Sequence, residues 1–242
     1  MRIKIFVIHV STQHERRLHI ERQLARCGLP FECEFIDKGD MKDLTDDVLD
    51  RYYINRPDCQ MHVVAPATSC SYKHLLACHA IVDEKLDGAL VLEDDIFLHS
   101  DFKEVFLKSI DEWQRRMPNE PILISYEDSA LLFVKGSEKK KGQILYDGNH
   151  DRYTGCIFVS NKCATDLLDD ILTNKTHLPI DGYHNNLLHR GVIRYLWCSP
   201  EIATQGSHNG TFGTMISKKR DHLLQLKWFF KKNYRKLLYS LR

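Results

Sequence analysis

Ala89-Leu90-Val91-Leu92-Glu93-Asp94-Asp95 joins four apolar residues to three carboxylates, and Ile96 and Phe97 follow. A short apolar run of this kind reads as a strand buried on both faces, as in the sheet of an α/β domain. Three acids at the end of such a strand repel one another and are costly to desolvate. A divalent cation reverses that penalty, because Mg²⁺ or Mn²⁺ takes carboxylate oxygens and shares its remaining positions with phosphates. The position also fits a ligand site, since open α/β sheets bind beyond the carboxyl ends of their strands. Taken alone, the stretch reads equally as an acidic turn facing water.

The flanking sequence supplies the rest of the fold. Residues 3–10 read as a first buried strand, with Ser11-Thr12 as N-cap of a helix whose apolar side carries Ile20, Leu24 and Cys27. Gly28 stands where a C-cap is expected, and residues 31–37 form a second strand ending in Asp37-Lys38-Gly39. Strand, helix, strand within forty residues opens a βαβ unit and predicts a parallel sheet. Helical spacing returns over 69–86, and further helices are expected over 101–117 and 161–172. Strands are expected over 122–125, 153–160 and, last in the chain, 193–198. Residues 130–134 and 143–146 suggest a β excursion around a basic loop, and 205–214 a glycine-rich loop. The fold class is therefore α/β.

The 242 residues suffice for one large domain or a domain with an appendage. No run of 18 apolar residues exists and no secretory h-region follows Met1, so neither a spanning helix nor a signal peptide is expected. Eight cysteines without a CxxC pair point to a reduced, cytosolic chain, although an even count leaves disulfides open. The net charge of +1 hides an asymmetry: residues 218–242 carry +8 and the other 217 carry −7. Leu223, Leu226, Phe230, Tyr234, Leu237 and Leu241 follow steps of three and four among those basic residues. That is a basic amphipathic helix, suited to an anionic membrane surface. Packing on the domain and self-association into an oligomer are the alternatives. The division expected is 1–217 as the main domain and 218–242 as this helix. Nucleic acid is disfavoured, because the body is acidic.

The ordered motifs resemble the bacterial lipooligosaccharide glycosyltransferases grouped as glycosyltransferase family 25, which are related to collagen galactosyltransferases. Val7-Ile8-His9-Val10 followed by Glu15-Arg16-Arg17 is similar to the family's opening strand and E-R-R. Ser69-Cys70-Ser71-Tyr72-Lys73-His74 is similar to its G-C-x-x-S-H, with the glycine and serine replaced. Leu90 to Asp95 is similar to L-x-L-E-D-D, and Pro179-Ile180-Asp181 to a later P-x-D. The resemblance covers roughly residues 3–215. It implies a GT-A-type (Rossmann-like) fold, mixed but mainly parallel. It also implies inverting transfer of a hexose, galactose favoured, from a UDP-sugar to a glycan or glycolipid acceptor, with Mn²⁺ or Mg²⁺.

Within that resemblance each role has candidates. Asp95 is the first choice of metal ligand, Asp94 and Glu93 compete for metal and ribose, and His208 is the downstream histidine that completes such sites. Val10, Ser11 and Arg16 lie where the first strand meets its helix and are placed to face the nucleotide. Asp37 is a candidate for uracil or ribose. Lys73 is a candidate for diphosphate charge and His74 for substrate or phosphate. Cys70, His74 and Cys78 share a helix face, but ligands spread over two turns do not reach one ion. Asp181 is the preferred base, with Asp151 and Asp128 as rivals; an N-cap role is the plain alternative for Asp181. The resulting expectation is a peripheral enzyme on the cytoplasmic face of the bacterial inner membrane. An inactive glycosyltransferase-like scaffold is the alternative from another class, and a two-metal phosphoester hydrolase lacks a second Asp/His cluster.

Overall fold

The computed structural model describes residues 1–212 and 222–242, the side chains of the latter segment from Gln225 onward. The boundary expected at 217/218, the charges at 218–221 and the side chain of Leu223 lie outside the described residues.

Strand β1 (Ile3–Ile8), helix α1 (His14–Cys27) and strand β2 (Glu32–Ile36) form the βαβ opening. Gly28 ends α1 in the left-handed region at φ 62°, its N–H donating to the Leu24 carbonyl. Helices α2 (Asp46–Tyr52) and α3 (Pro66–Asp83) then lead into β3 (Gly88–Glu93), which pairs in parallel with the other edge of β1. The acidic turn separates β3 from β4 (Ile96–Leu98), and α4 (Phe102–Arg116) and β5 (Ile122–Ser125) follow. The second half runs β6 (Leu145–Asp147), β7 (Cys156–Ser160), α5 (Asn161–Asn174) and α6 (Ile180–His189). It then continues through β8 (Arg194–Cys198), β9 (Ala203–Gln205), α7 (Gly206–Asn209) and α8 (His222–Ser240).

Seven strands form one sheet in the order β2-β1-β3-β7-β5-β8-β6. The antiparallel pairings of β7 with β3 and β5, and of β6 with β8, leave five strands running one way. The sheet is thus mixed and mainly parallel, flanked by helices on both faces.

Side-chain alternation along β3 divides the core. Ala89 and Val91 join the layer under α3, α5 and α6, with Leu75, Ile81, Leu167 and Leu187. Leu90 and Leu92 join the layer under α1 and α4, with Ile20, Phe102 and Phe106. All four strand residues are buried, which stabilises the fold by about 1.5–3 kcal/mol for each large side chain. The apolar half of the opening motif is therefore the middle layer of the domain. Its acidic half emerges where β1 and β3 end.

Three local expectations are corrected. Helix α1 begins after Gln13 rather than at a Ser11-Thr12 cap; the Ser11 hydroxyl donates to Asp40 Oδ2 instead, at 2.6 Å. Residues 130–134 form no strand, and Phe133 and Val134 are buried as irregular chain while β6 pairs with β8. Strand β8 is not the last, because β9 pairs antiparallel with β4 and brings Gln205 opposite Ile96. That short ribbon carries the far end of the chain back to the acidic turn.

Helix α8 lies against the domain through a polar line. Lys232 pairs with the buried Asp128, Lys236 Nζ stands 3.0 Å from Glu201 Oε2, and Tyr239 meets the Phe133 ring edge-on. Leu226, Phe230, Tyr234, Leu237 and Leu241 are exposed. Among the described residues no helix is long and apolar enough to cross a membrane.

Candidate active site

A cleft of about 360 Å³ opens at the carboxyl ends of β1 and β3. Of the sequence-derived candidates, Val10, Ser11, Arg16, Lys73, Glu93 and Asp94 line it. The sheet register explains the convergence: Ile8 of β1 stands beside Glu93 of β3, so the segments leaving both strands share one rim.

The three acids have separate surroundings. Glu93 Oε1 accepts from Thr154 Oγ1 at 2.8 Å, and its Oε2 from Gln205 Nε2 at 2.9 Å. Burial opposes its charge, but His74, Thr154 and Gln205 outweigh burial and hold its carboxyl below the ordinary range. Asp94 is clasped between His9 Nδ1 at 2.9 Å and Arg16 Nη1 at 3.0 Å. Asp95 is 1% exposed; its Oδ2 accepts from the Ser207 N–H at 2.9 Å, while its Oδ1 has no hydrogen-bond partner. Burial, followed by the neighbouring Glu93 charge, pushes the Asp95 carboxyl up to about 6.

Gly206 makes the Asp95 arrangement sterically feasible. Its N–H donates to the Asp95 carbonyl at 2.9 Å, and a Cβ there would come within 2.8 Å of that same oxygen. The strand residue Gln205 and the helix residue Ser207, on either side of Gly206, are the ones that hold Glu93 and Asp95.

Lys73 does not supply free charge to a diphosphate. It is 1% exposed, and its ammonium donates to the carbonyls of His9 and Ile36 and pairs with Asp40 Oδ1 at 2.9 Å. The backbone ends of β1 and β2 and the Asp40 carboxylate thus neutralise it. Gly39, at φ 89°, turns the chain over α3 so that Asp40 reaches this ammonium; a Cβ would press on Lys73 and Leu76 at 3.1 Å. Arg16 is a cation at the rim, as is the exposed Lys42, and its guanidinium stands beside Asp94 and 5.7 Å from the centre of the Phe212 ring. Burial works against its charge, but the three acids more than compensate and raise its pKa.

The remaining candidates are dispersed. Asp37 is exposed and pairs with Arg17 at 3.3 Å, outside the cleft lining. His74 is buried and turned toward Glu93 rather than the open cleft. Asp94, Asp95 and His208 do not converge as a three-ligand set. Asp94 is engaged by His9 and Arg16, and the His208 ring stacks on Tyr153 at 4.4 Å and 12°. Among the described residues, Cys70, His74 and Glu93 are the one group of three or more such side chains with ligand atoms within 4.8 Å of one another. Cys78 takes no part; burial raises its thiol to about 12.

Asp151 and Asp181 line a second cleft of about 570 Å³ with Tyr153, Asn185 and Pro179. Asp151 exchanges hydrogen bonds with the Asn185 amide and accepts from the Tyr153 N–H at 2.9 Å. Burial first, then Asp181 among its neighbours, raises the Asp151 carboxyl. Asp181 sits in the first turn of α6, where its Oδ1 accepts from the Gly182 N–H. Asp128, the third carboxylate considered, is covered by Lys232 and accepts from Thr204. Tyr153, which lines this second cleft, lies in the left-handed region at φ 71° and stacks on His208.

Asp40, Thr154 and Gln205 escaped the sequence reading, and His9 entered it only as a member of the opening-strand motif, with no role of its own. Each acts through a partner 29 to 112 positions away. The one local signal was the Asp-Lys-Gly-Asp cluster at 37–40, which marks a turn and no chemistry.

The family model that matches the chain is that of glycosyltransferase family 25 (LPS biosynthesis protein), over residues 2–143. Comparison with the curated proteins finds no match. Among solved structures, a Bacillus anthracis protein described as a glucose-1-phosphate thymidylyltransferase, in complex with a sucrose, is 16% identical. It covers 89% of this chain and 92% of its own, with a TM-score of 0.40. Mouse xyloside xylosyltransferase 1 is 10% identical over 81% of this chain and 84% of its own, with a TM-score of 0.41. Likenesses of that degree carry no functional assignment. The family match covers more than half of the chain.

Proposed function

The chain belongs to glycosyltransferase family 25, and from that premise we propose that it transfers a hexose, galactose favoured, from a UDP-sugar to a lipooligosaccharide or similar surface-glycan acceptor, with inversion. The observation that carries the reading is the acidic turn after β3, set at the floor of a cleft with Arg16 on its rim. The β1–α1 junction at Val10 and Ser11 receives the nucleotide, and Asp40 is the carboxylate within its reach for ribose hydroxyls. Arg16 meets the diphosphate, where a guanidinium suits phosphate oxygens.

The unpartnered, buried Asp95 Oδ1 fits a hard divalent cation, and Mn²⁺ or Mg²⁺ would screen the departing diphosphate there. The second cleft takes the acceptor. Asp181 receives the proton of the attacking hydroxyl as its oxygen bonds to the anomeric carbon and the bond to the diphosphate breaks. Asp151, tied to Asn185 and the Tyr153 N–H, positions the acceptor rather than moving its proton.

The outward apolar stripe of α8, flanked by Lys227, Lys231 and Arg235, supports peripheral attachment to an anionic membrane where a glycolipid acceptor resides.

Purified protein screened with UDP-galactose, UDP-glucose and their N-acetyl forms, with and without Mn²⁺, tests the reading. Turnover of one donor is expected with metal, falling at least a hundredfold in Asp95→Asn. Absence of binding by every nucleotide sugar in the presence of Mn²⁺ would replace the enzyme with a scaffold at the membrane.

A further inference from the structure

Cys70 and His74 stand one turn apart on α3, and Glu93 faces them from the end of β3. Their ligand atoms lie within 4.8 Å of one another, and His74 Nε2 stands 3.6 Å from Glu93 Oε1. That separation is too long for a good hydrogen bond. His74 is 3% exposed, and its Nε2 is a buried atom without a hydrogen-bond partner. Ligands around a tetrahedral ion, at bonds of about 2.0–2.3 Å, are separated by roughly 3.3–3.8 Å. The trio is therefore already at the spacing of a metal site or within about 1 Å of it.

Glu93 is held as an ordered ligand would be. Each of its oxygens has a neutral donor, Thr154 on one and Gln205 on the other, which fixes the plane of the carboxylate. The field at the trio is negative. Burial raises the Cys70 thiol well above its ordinary range, and Glu93, Asp181, Asp94 and Asp95 raise it further. Lys73, the lysine on this stretch of α3, is neutralised by Asp40 and two carbonyls. Cys70 and Glu93 also line the cleft, so a fourth coordination position opens toward it.

We propose that Cys70 Sγ, His74 Nε2 and Glu93 form a three-ligand site for a borderline-soft divalent ion of the zinc class, with its fourth position facing the cleft. A sulfur, nitrogen and oxygen set selects such an ion over Mg²⁺ or Mn²⁺, which take oxygens. On binding, the Cys70 thiol releases its proton to water as the sulfur–metal bond forms, so the complex strengthens as pH rises. The site is separate from the hard-cation position at Asp95 and does not rest on the donor reading.

Co²⁺ is the probe, added to chelator-treated full-length protein in the absence of any nucleotide sugar. Thiolate-to-cobalt charge transfer in the near ultraviolet, with the strong visible bands of a tetrahedral ion, is the expected result. The bands should persist in Asp95→Asn and Cys33→Ser, and Co²⁺ affinity should fall at least tenfold in Cys70→Ser and His74→Asn. Peptide-mapped alkylation of the wild type needs no variant to fold: Zn²⁺ should slow modification of Cys70 at least tenfold and leave the exposed Cys33 unchanged. Cobalt bound without a thiolate band, a band that survives Cys70→Ser, or no Zn²⁺ protection of Cys70 would overturn the site. Cobalt binding lost only in Asp95→Asn would also overturn it, by assigning the ion to the acidic turn.

Discussion

Lys73 shows how much of a residue's role its surroundings set. In the sequence it stands where the resembling family has serine, next to His74, and invites a phosphate-binding role. In the fold its ammonium joins the ends of β1 and β2 to Asp40. Removing one partner of such a buried pair leaves the other charge uncompensated, which costs more than the pair contributes. Lys73→Met should therefore destabilise the protein by about 3 kcal/mol in urea unfolding, and adding Asp40→Asn should recover part of that loss. Arg16→Ala leaves its buried partner Asp94 still bonded to His9, so that carboxylate keeps a partner. Its main expected effect is on the KM for the nucleotide sugar, with an unfolding midpoint close to wild type. An unchanged KM would remove Arg16 from the donor site.

The helices of the second half are joined by a clasp that senses pH. Asp170 on α5 accepts from Tyr183 Oη on α6 at 2.7 Å and from Arg190, just past the end of α6, at 3.0 Å. Burial alone would raise its carboxyl, but Arg190, Tyr183 and Asn174 outweigh burial and hold it below the ordinary value. A group depressed in the folded state contributes stability above its unfolded pKa, near 3.8, and loses it as pH falls through the folded value. The contribution, discounted for solvent screening, is about 1 kcal/mol at neutral pH. Asp170→Asn should be less stable than wild type by that amount at pH 7, and the two unfolding curves should converge in acid. A gap that persists at the lowest pH would mean lost packing rather than lost charge. The same pairing holds α6 against α5, and thereby the Asp181 turn at the mouth of the second cleft.

For the whole molecule, the orientation of α8 matters more than its existence. Asp128 and Glu201, buried carboxylates of the domain, face Lys232 and Lys236 and fix which side of the helix turns inward. The apolar stripe is left outward, with Lys227, Lys231 and Arg235 beside it. Vesicles containing anionic lipid should bind the protein, and 0.5 M salt should release much of it, because charges near the surface are screened beyond a few ångströms at about that ionic strength. Phe230→Glu combined with Leu237→Glu should weaken this attachment at least tenfold while turnover of a soluble acceptor stays near wild type. Equal binding by wild type and double variant would assign the stripe to another partner.

The α/β class, the βαβ opening, the central strand and the cleft-lining residues Ser11, Arg16, Glu93 and Asp94 were all legible in the sequence. Each depends on local periodicity or on its place at the end of a strand, which a linear pattern records. The amphipathic α8 was legible for the same reason. Tertiary structure alone decided that Asp40 neutralises Lys73, that Thr154 and Gln205 hold Glu93, and that Cys70 and His74 meet Glu93 rather than Cys78. It also decided that His208 stacks on Tyr153 instead of joining Asp94 and Asp95. These pairings join α3, the ends of β2 and β3, the entry to β7 and the β9–α7 segment. Hydrophobic burial fixes the register of those strands, and polar partners far apart in the chain are then matched by position, leaving no periodicity in the sequence to announce them.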